Sequence, residues 1–310
     1  ESYYITDTDD SQLFAMLKAI SDMRPHYEKN DNGDDIPVTT HMYGYNSGKY
    51  DKFMIAALLM HHNNVNGTKE LIKILYETSQ KIIQNKNGFC FGIDSVLLSD
   101  FATGIKDNSK IIDLGTGTGI ISILLTAKIK AKEIVGVELQ DEVADMARRS
   151  VVLNNLESIV SILNQDIRNL DKILNNGFYD AIVTNPPYMK TDSGLINENS
   201  VKLISRHEVQ CTLEDIARIS YKMLRNNGEL YMVHRPDRLV DIMEIFRKYN
   251  LEIKEMRLVY SNYNSQANLV LVKAVKNGRP FLKIKKPLYI YEKDGKYTNE
   301  VLKIYNKENN

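Results

Sequence analysis

The run Lys110-Ile-Ile-Asp-Leu-Gly-Thr-Gly-Thr-Gly-Ile-Ile-Ser-Ile-Leu-Leu125 constrains the fold of this chain more than any other stretch. Ile111 to Leu114 reads as a short buried strand, Gly115, Gly117 and Gly119 follow it, and the apolar run Ile120 to Leu125 starts a helix. Glycines let the backbone turn tightly and approach a ligand, while a helix N-terminus presents free N–H groups. Further strands are expected near 110–114, 133–138, 159–163, 179–184 and 229–234, alternating with helical patterns near 119–129, 141–154 and 212–225. Alternation over this length predicts an α/β doubly wound, Rossmann-like sheet. A helix near 237–249 and strands near 251–260 and 267–275 complete it. Ligands of such sheets bind outside the carboxyl ends of the strands.

The residues at those ends are polar. A glycine loop alone serves dinucleotide enzymes and other nucleoside-cofactor enzymes alike. Two details favour S-adenosylmethionine over a nicotinamide dinucleotide. Asp113 precedes the first glycine, where a carboxylate can face a methionine ammonium but repels a pyrophosphate, and the spacing is Gly-x-Gly-x-Gly, not Gly-x-Gly-x-x-Gly. Glu138 ends the second strand nineteen residues after Gly119, a place from which an acid can accept both ribose hydroxyls, although a solvated strand-end charge is the plainer reading. Asp166, after the third strand, is placed to accept an adenine amino group or to cap the following turn. Asn185-Pro186-Pro187-Tyr188 follows the apolar strand Tyr179 to Thr184. An amide, two prolines and an aromatic ring form a rigid polar notch beside a stacking platform, suited to a flat group bearing an amine. Read plainly, it is a strand ended by proline.

Together with Asn87-Gly-Phe-Cys-Phe-Gly-Ile-Asp-Ser-Val-Leu-Leu-Ser-Asp-Phe101, Ala147-Arg-Arg-Ser-Val-Val-Leu-Asn154, Ser205-Arg-His-Glu208, Val233-His-Arg-Pro-Asp-Arg238 and Pro287-Leu-Tyr-Ile-Tyr291, these motifs resemble the bacterial tRNA adenine-N6 methyltransferases. Members of that family modify valine tRNA at position 37, beside the anticodon, and the resemblance runs from about Lys81 to the C-terminus. It implies a class I S-adenosylmethionine-dependent methyltransferase sheet, closed by an antiparallel final pair of strands. The implied acceptor is the N6 amine of an adenine in tRNA, with no obligate protein partner. By this resemblance the cofactor would lie against Phe91, Asp94, Asp113, Gly115, Gly117, Gly119, Glu138, Asp166 and Asn185, with Asn185, Pro186 and Tyr188 at the reacting amine. Arg206, His207 and the pair His234-Arg235 resemble positions on the substrate side. Two other readings stay open. Release-factor methyltransferases, which act on a glutamine amide, also carry Asn-Pro-Pro-Tyr; alternatively the chain is a nucleic-acid-binding protein with a vestigial methyltransferase. The basic C-terminal segment and the Arg-His-Glu and His-Arg-Pro runs speak against the first, and the intact glycines, Glu138 and Asn185 against the second.

Charge distribution carries more than net charge, which is zero over 310 residues. Residues 1–40 hold nine acids against three bases, and the stretch Lys276 to Lys286 carries Lys276, Arg279, Lys283, Lys285 and Lys286 without an acid. A cluster of this kind can follow a phosphate backbone, or simply be a solvated surface. Three parts are therefore expected: an acidic N-terminal extension over 1–78, the methyltransferase domain over 79–275 and a basic C-terminal tail over 276–310. Within the extension, Tyr43 to Ile55 has a short, partial resemblance to the second exonuclease motif of B-family DNA polymerases, with Asp51 at its metal-binding position. The first motif's Asp-x-Glu is not visible, and a lone carboxylate cannot build a two-metal site. Cys90 and Cys211 are far apart and lack partners at metal spacing, so no disulfide framework or metal site is expected. The apolar run Phe53 to Met60 is too short to span a bilayer and no leader pattern opens the chain. A cytoplasmic enzyme is expected, and a fragment of a longer chain, because it opens on Glu1 and not Met.

Overall fold

The computed structural model describes residues 92–187 and 211–305, together with four short strands nearer the N-terminus. These are β1 (Tyr27–Lys29), β2 (Asp35–Pro37), β3 (Glu70–Leu75) and β4 (Gln80–Asn85). The exonuclease-like stretch around Asp51, and Phe91, Tyr188, Arg206 and His207, lie outside the described residues.

The central sheet is built from β5 (Lys110–Leu114), β6 (Glu133–Glu138), β7 (Val160–Asn164), β8 (Tyr179–Thr184), β9 (Leu224–His234), β10 (Leu251–Tyr260) and β11 (Ala267–Lys276). Their spatial order is β10-β11-β9-β8-β5-β6-β7. The strands β7, β6, β5, β8 and β9 are parallel, while β11 runs antiparallel between β9 and β10. The antiparallel closing pair is therefore present. Strand order reverses at β5, which has β6 on one side and β8 on the other. A crevice opens at such a reversal because the connections leave in opposite directions.

Alternation along the strands builds two cores. Ile111, Ile134, Val183, Tyr231 and Val233 face a layer containing α1 (Ile93–Phe101) and α2 (Ile120–Lys128). Ile112, Val135, Ile182, Leu230 and Met232 face α4 (Leu213–Met223) and α5 (Leu239–Lys248), while α3 (Asp141–Leu153) follows β6. Burial on both faces explains why β5 and β8 read as continuous apolar runs and not as alternating ones. Helix α4 starts at a capping box, in which the Thr212 hydroxyl accepts from the Asp215 N–H and the Asp215 carboxylate accepts from the Thr212 N–H. Among the described residues no helix is long and apolar enough to cross a membrane.

Both ends of the domain carry more structure than the sequence announces. Strand β9 begins at Leu224 instead of near 229, because a register shift between Tyr179 and Ala181 on β8 absorbs the extra residues. The basic C-terminal segment returns to the sheet: β12 (Lys283–Ile284) and β13 (Leu288–Tyr289) pair parallel with β10. Helix α6 (Asn299–Ile304) then buries Val301 and Ile304 in the first core. Of the cations in that segment, Lys285 pairs with Glu255 at 2.9 Å and Lys276 donates to the Leu224 carbonyl at 2.7 Å.

At the other end, β4 lies against α3 without a strand partner from the central sheet. Side chains take the place of a ladder. The Asn154 amide accepts from the Lys81 N–H and donates to the Lys81 carbonyl, both at 2.7 Å. The buried Ser150 hydroxyl accepts from the Ile83 N–H at 2.9 Å. On its far edge β4 pairs in full register with β3, which falls inside the expected extension. Ser150→Ala would leave a buried N–H unsatisfied, a cost of about 1–3 kcal/mol. Denaturant unfolding of Ser150→Ala should show that loss; unchanged stability would mean that β4 is not held through α3.

Candidate active site

The glycine loop is shaped by one carboxylate. Asp113 is fully buried at the end of β5, and its Oδ2 accepts from the Thr116 hydroxyl at 2.7 Å, the Ser122 hydroxyl at 2.8 Å and the Ser122 N–H at 3.1 Å. The last of these satisfies a donor of the first turn of α2, so the carboxylate ties the loop to the helix that follows. Gly115, Gly117 and Gly119 have φ of 69°, 58° and 88°, a region that costs an L-residue roughly 1–2 kcal/mol. A Cβ on Gly115 or Gly117 would meet nothing within 4 Å, so open space lies beside the loop. Gly136 on β6 has the opposite reason to be glycine. A Cβ there would come within 2.9 Å of the Thr116 hydroxyl oxygen that reaches Asp113.

The other Asp113 oxygen, Oδ1, is buried and has no hydrogen-bond partner. Gln84 on β4 donates to the Thr118 hydroxyl of the same loop at 3.3 Å, and its own Oε1 is likewise buried without a partner. Two acceptors thus stand unsatisfied around a loop that has room beside it. Burial pushes the Asp113 carboxyl up from an ordinary 3.8 to about 6, against the pull of its hydrogen bonds from Thr116 and Ser122.

Glu138 ends β6 beside this loop. Its Oε2 accepts from the Gly117 N–H at 3.1 Å and its Oε1 from the Gln140 N–H at 2.9 Å. Asp166 follows β7, where it caps a short 3-10 helix and binds the Arg168 guanidinium through both oxygens, the closest contact being 2.6 Å. That guanidinium holds its carboxyl below the usual range. Turn capping, one of its two sequence readings, is present.

Asn185 closes the group. Thr184, just before it, donates its hydroxyl to the Leu114 carbonyl at 2.9 Å, so the carboxyl ends of β8 and β5 are pinned together where the glycine loop begins. The Asn185 Nδ2 donates to Asp94 Oδ2 at 3.1 Å and to the Ser95 hydroxyl at 3.2 Å, both in the first turn of α1. These two bonds anchor the Asn185 amide to the first turn of α1. Asp94, expected at the cofactor, is thus a direct partner of the notch amide, and its Oδ1 accepts from the Ser95 N–H at 3.0 Å. Pro186 is buried and Pro187 exposed. His234 ends β9 on the same rim; it is buried, its Nδ1 accepts from the Arg235 N–H at 2.8 Å, and burial pushes it down to about 4. At neutral pH it is an uncharged imidazole.

Asp113, the three glycines, Glu138 and Asn185 are therefore gathered at the carboxyl ends of β5, β6 and β8, with Asp94 joined to them from α1. Ser95, Thr116, Ser122 and Thr184 belong to the same hydrogen-bonded group, and Gly136 leaves room for Thr116 in it. Among the described residues no group of three or more His, Cys, Asp or Glu is arranged to hold a metal.

A sheet whose strand order reverses at β5, with a glycine loop and an Asn-Pro-Pro run at the carboxyl ends of β5 and β8, matches known proteins. The model of the family described as methyltransferase small domain matches residues 92–258, more than half of the chain, and the chain belongs to that family. Among curated relatives, a tRNA1(Val) (adenine(37)-N6)-methyltransferase of Porphyromonas gingivalis is 29% identical over 52% of this chain and 64% of its own length. A protein of the same name from Pedobacter heparinus is 27% identical over 66% of this chain and 85% of its own. The chain thus spans less than two thirds of the Porphyromonas relative. Among solved structures, a predicted O-methyltransferase from Agrobacterium tumefaciens superposes with a TM-score of 0.56 at 23% identity, covering 69% of this chain and 96% of that one. At that identity the likeness is one of fold.

Asp113 makes a prediction by its sign. A carboxyl raised in the folded state contributes stability that is full below its unfolded value and lost as pH rises through the folded value. Relative to Asp113→Asn, the unliganded protein should therefore lose roughly 3 kcal/mol between pH 3.8 and about 6. Unfolding free energies of both proteins across that window check this; a pH-independent difference would mean that the buried carboxylate ionises without penalty.

Proposed function

We propose that this chain is an S-adenosylmethionine-dependent methyltransferase acting on the exocyclic N6 amine of an adenine in tRNA, at anticodon-loop position 37 of valine tRNA. The observation that carries the reading is the Asn185 amide, held by Asp94 and Ser95 at the mouth of the crevice beside the glycine loop. The names of the curated relatives point the same way.

The residues present fit the methyl donor. Open space beside Gly115 and Gly117 admits a nucleoside, and the Glu138 carboxylate suits ribose hydroxyls. The unpartnered Asp113 Oδ1 suits an ammonium at the methionine end, to which Phe91 and Asp94 are assigned by family resemblance. Asp166 would receive the adenine amino group once Arg168 swings aside. Arg168 is an exposed partner, and exposed ion pairs are worth only about 0–1 kcal/mol. When bound, S-adenosylmethionine supplies an electrophilic methyl on a sulfonium.

The chain's own task is to present the amine. Adenine N6 is a weak nucleophile because its lone pair is delocalised into the ring. Hydrogen bonds from N6–H to Asn185 Oδ1 and to the Pro186 carbonyl favour a pyramidal nitrogen with its lone pair directed into the crevice. Both acceptors are neutral, which suffices because the proton is lost only after the nitrogen has become cationic. Tyr188 would stack on the base. Acceleration then comes from positioning and fixed dipoles, without a strong base. An unpaired loop adenine costs little to splay out.

Incubation with labelled S-adenosylmethionine and unmodified tRNA, followed by nucleoside analysis, tests this. N6-methyladenosine should form, and Asn185→Ala should cut kcat by about a hundredfold or more with donor affinity retained. Ser95→Ala, which removes one of two amide anchors, should lower kcat by about tenfold and leave KM nearly unchanged. Label recovered in protein glutamine in place of RNA would refute the proposed acceptor.

A further inference from the structure

The rim that carries Asn185 also carries a row of tyrosines that the proposed chemistry does not use. Strand β9 is antiparallel to β11, and β11 is antiparallel to β10, so β9 and β10 end on the same side as β5 and β8. Tyr260 ends β10, and Tyr289 ends β13 beside it. Their rings lie 5.4 Å apart, and Tyr263, in the turn between β10 and β11, stacks on Tyr289 at 4.2 Å with an interplanar angle of 30°. The outermost ring, Tyr263, is 54% exposed.

The turn that presents it is held rigidly. The Asn262 N–H donates to the Ser265 hydroxyl at 3.0 Å, and that hydroxyl donates to the Asn262 carbonyl at 2.8 Å. The Asn264 N–H donates to Asn262 Oδ1 at 2.9 Å, and the Tyr291 N–H donates to the Ser261 carbonyl at 2.8 Å. An aromatic face displayed on a rigid turn loses little entropy when it is covered. Around it stand Asn262, Asn264, Ser265 and Gln266, polar groups that offer no aliphatic groove to a peptide. They suit a flat ring with polar edges.

Place and charge complete the argument. Strand β10 is three strand spacings from β8, and Tyr260 stands three residues beyond the level of Asn185, so the two lie about 17 Å apart. Between them, just past the end of β9, Arg235 is exposed. An extended single strand with one base at Asn185 would bring its phosphates past Arg235 and neighbouring bases to the tyrosines. Resting on the proposed RNA substrate, we infer that the Tyr260–Tyr289–Tyr263 row is a stacking platform for unpaired bases flanking the target adenine, with Arg235 at the intervening phosphate.

The test is binding of a fluorescein-labelled RNA hairpin with an unpaired, adenine-containing loop, read by anisotropy. Tyr263→Ala should weaken binding by about tenfold, since base–aromatic stacking is worth roughly 1–3 kcal/mol. Tyr263→Phe should stay within about twofold of the parent, and Tyr263→Leu should behave like Ala, because a stack needs a π-face. S-adenosylmethionine affinity and melting temperature should not move in any of the three. Undiminished binding by Tyr263→Ala, full rescue by Leu, or no RNA binding by the parent protein would each overturn the inference. Its failure is separable from failure of the proposed reaction. N6 methylation that Tyr263→Ala leaves intact removes the platform alone. Tyr263-dependent RNA binding without N6 methylation removes the reaction alone.

Discussion

The buried Asp113 carboxylate is the interaction on which the crevice depends. It takes three hydrogen bonds on one oxygen from two hydroxyls and a helix N–H, and so sets the path of the glycine loop from β5 into α2. Burial of an ionisable group is costly, and the carboxyl responds by rising to about 6. Its second oxygen is unsatisfied. In the proposed reading, a cationic ligand end would supply the missing partner and relieve the burial cost.

From Asp113 the constraints spread in two directions. Thr116, which binds it, requires Gly136 on β6 to lack a side chain. Thr184 ties β8 to the last residue of β5, so the Asn185 notch moves with the glycine loop and not independently of it. Asp94 and Ser95 then fix the amide from α1. The glycine loop and the Asn185 notch form one hydrogen-bonded unit, as the proposed transfer would need, because its two reacting atoms must be held at a set separation.

Much of this was legible in the residues. Apolar runs bounded by glycine, proline and acids marked β5, β6 and β8 at their true ends, because strands buried on both faces leave a continuous signal. Asp113, Glu138 and Asn185 could be placed at strand ends for the same reason. The hydroxyls of Ser95, Thr116, Ser122 and Thr184 could not, since each acts through one long-range hydrogen bond that no local pattern announces. The two-residue strands β12 and β13 escaped because so short a run has no periodicity, and the basic segment containing them resembled a solvated tail. Pairing of β3 with β4 depends on a register that composition does not encode.

The account stands or falls on Asp113 as the partner of a cation. Calorimetric titration of the protein with S-adenosylmethionine as a function of pH measures this directly. With the carboxyl at about 6, affinity at pH 5 should be about tenfold weaker than at pH 7. Affinity should level off above the transition, and Asp113→Asn should abolish the dependence. An affinity that is flat across this range in the parent protein, or that falls as pH rises, would contradict it.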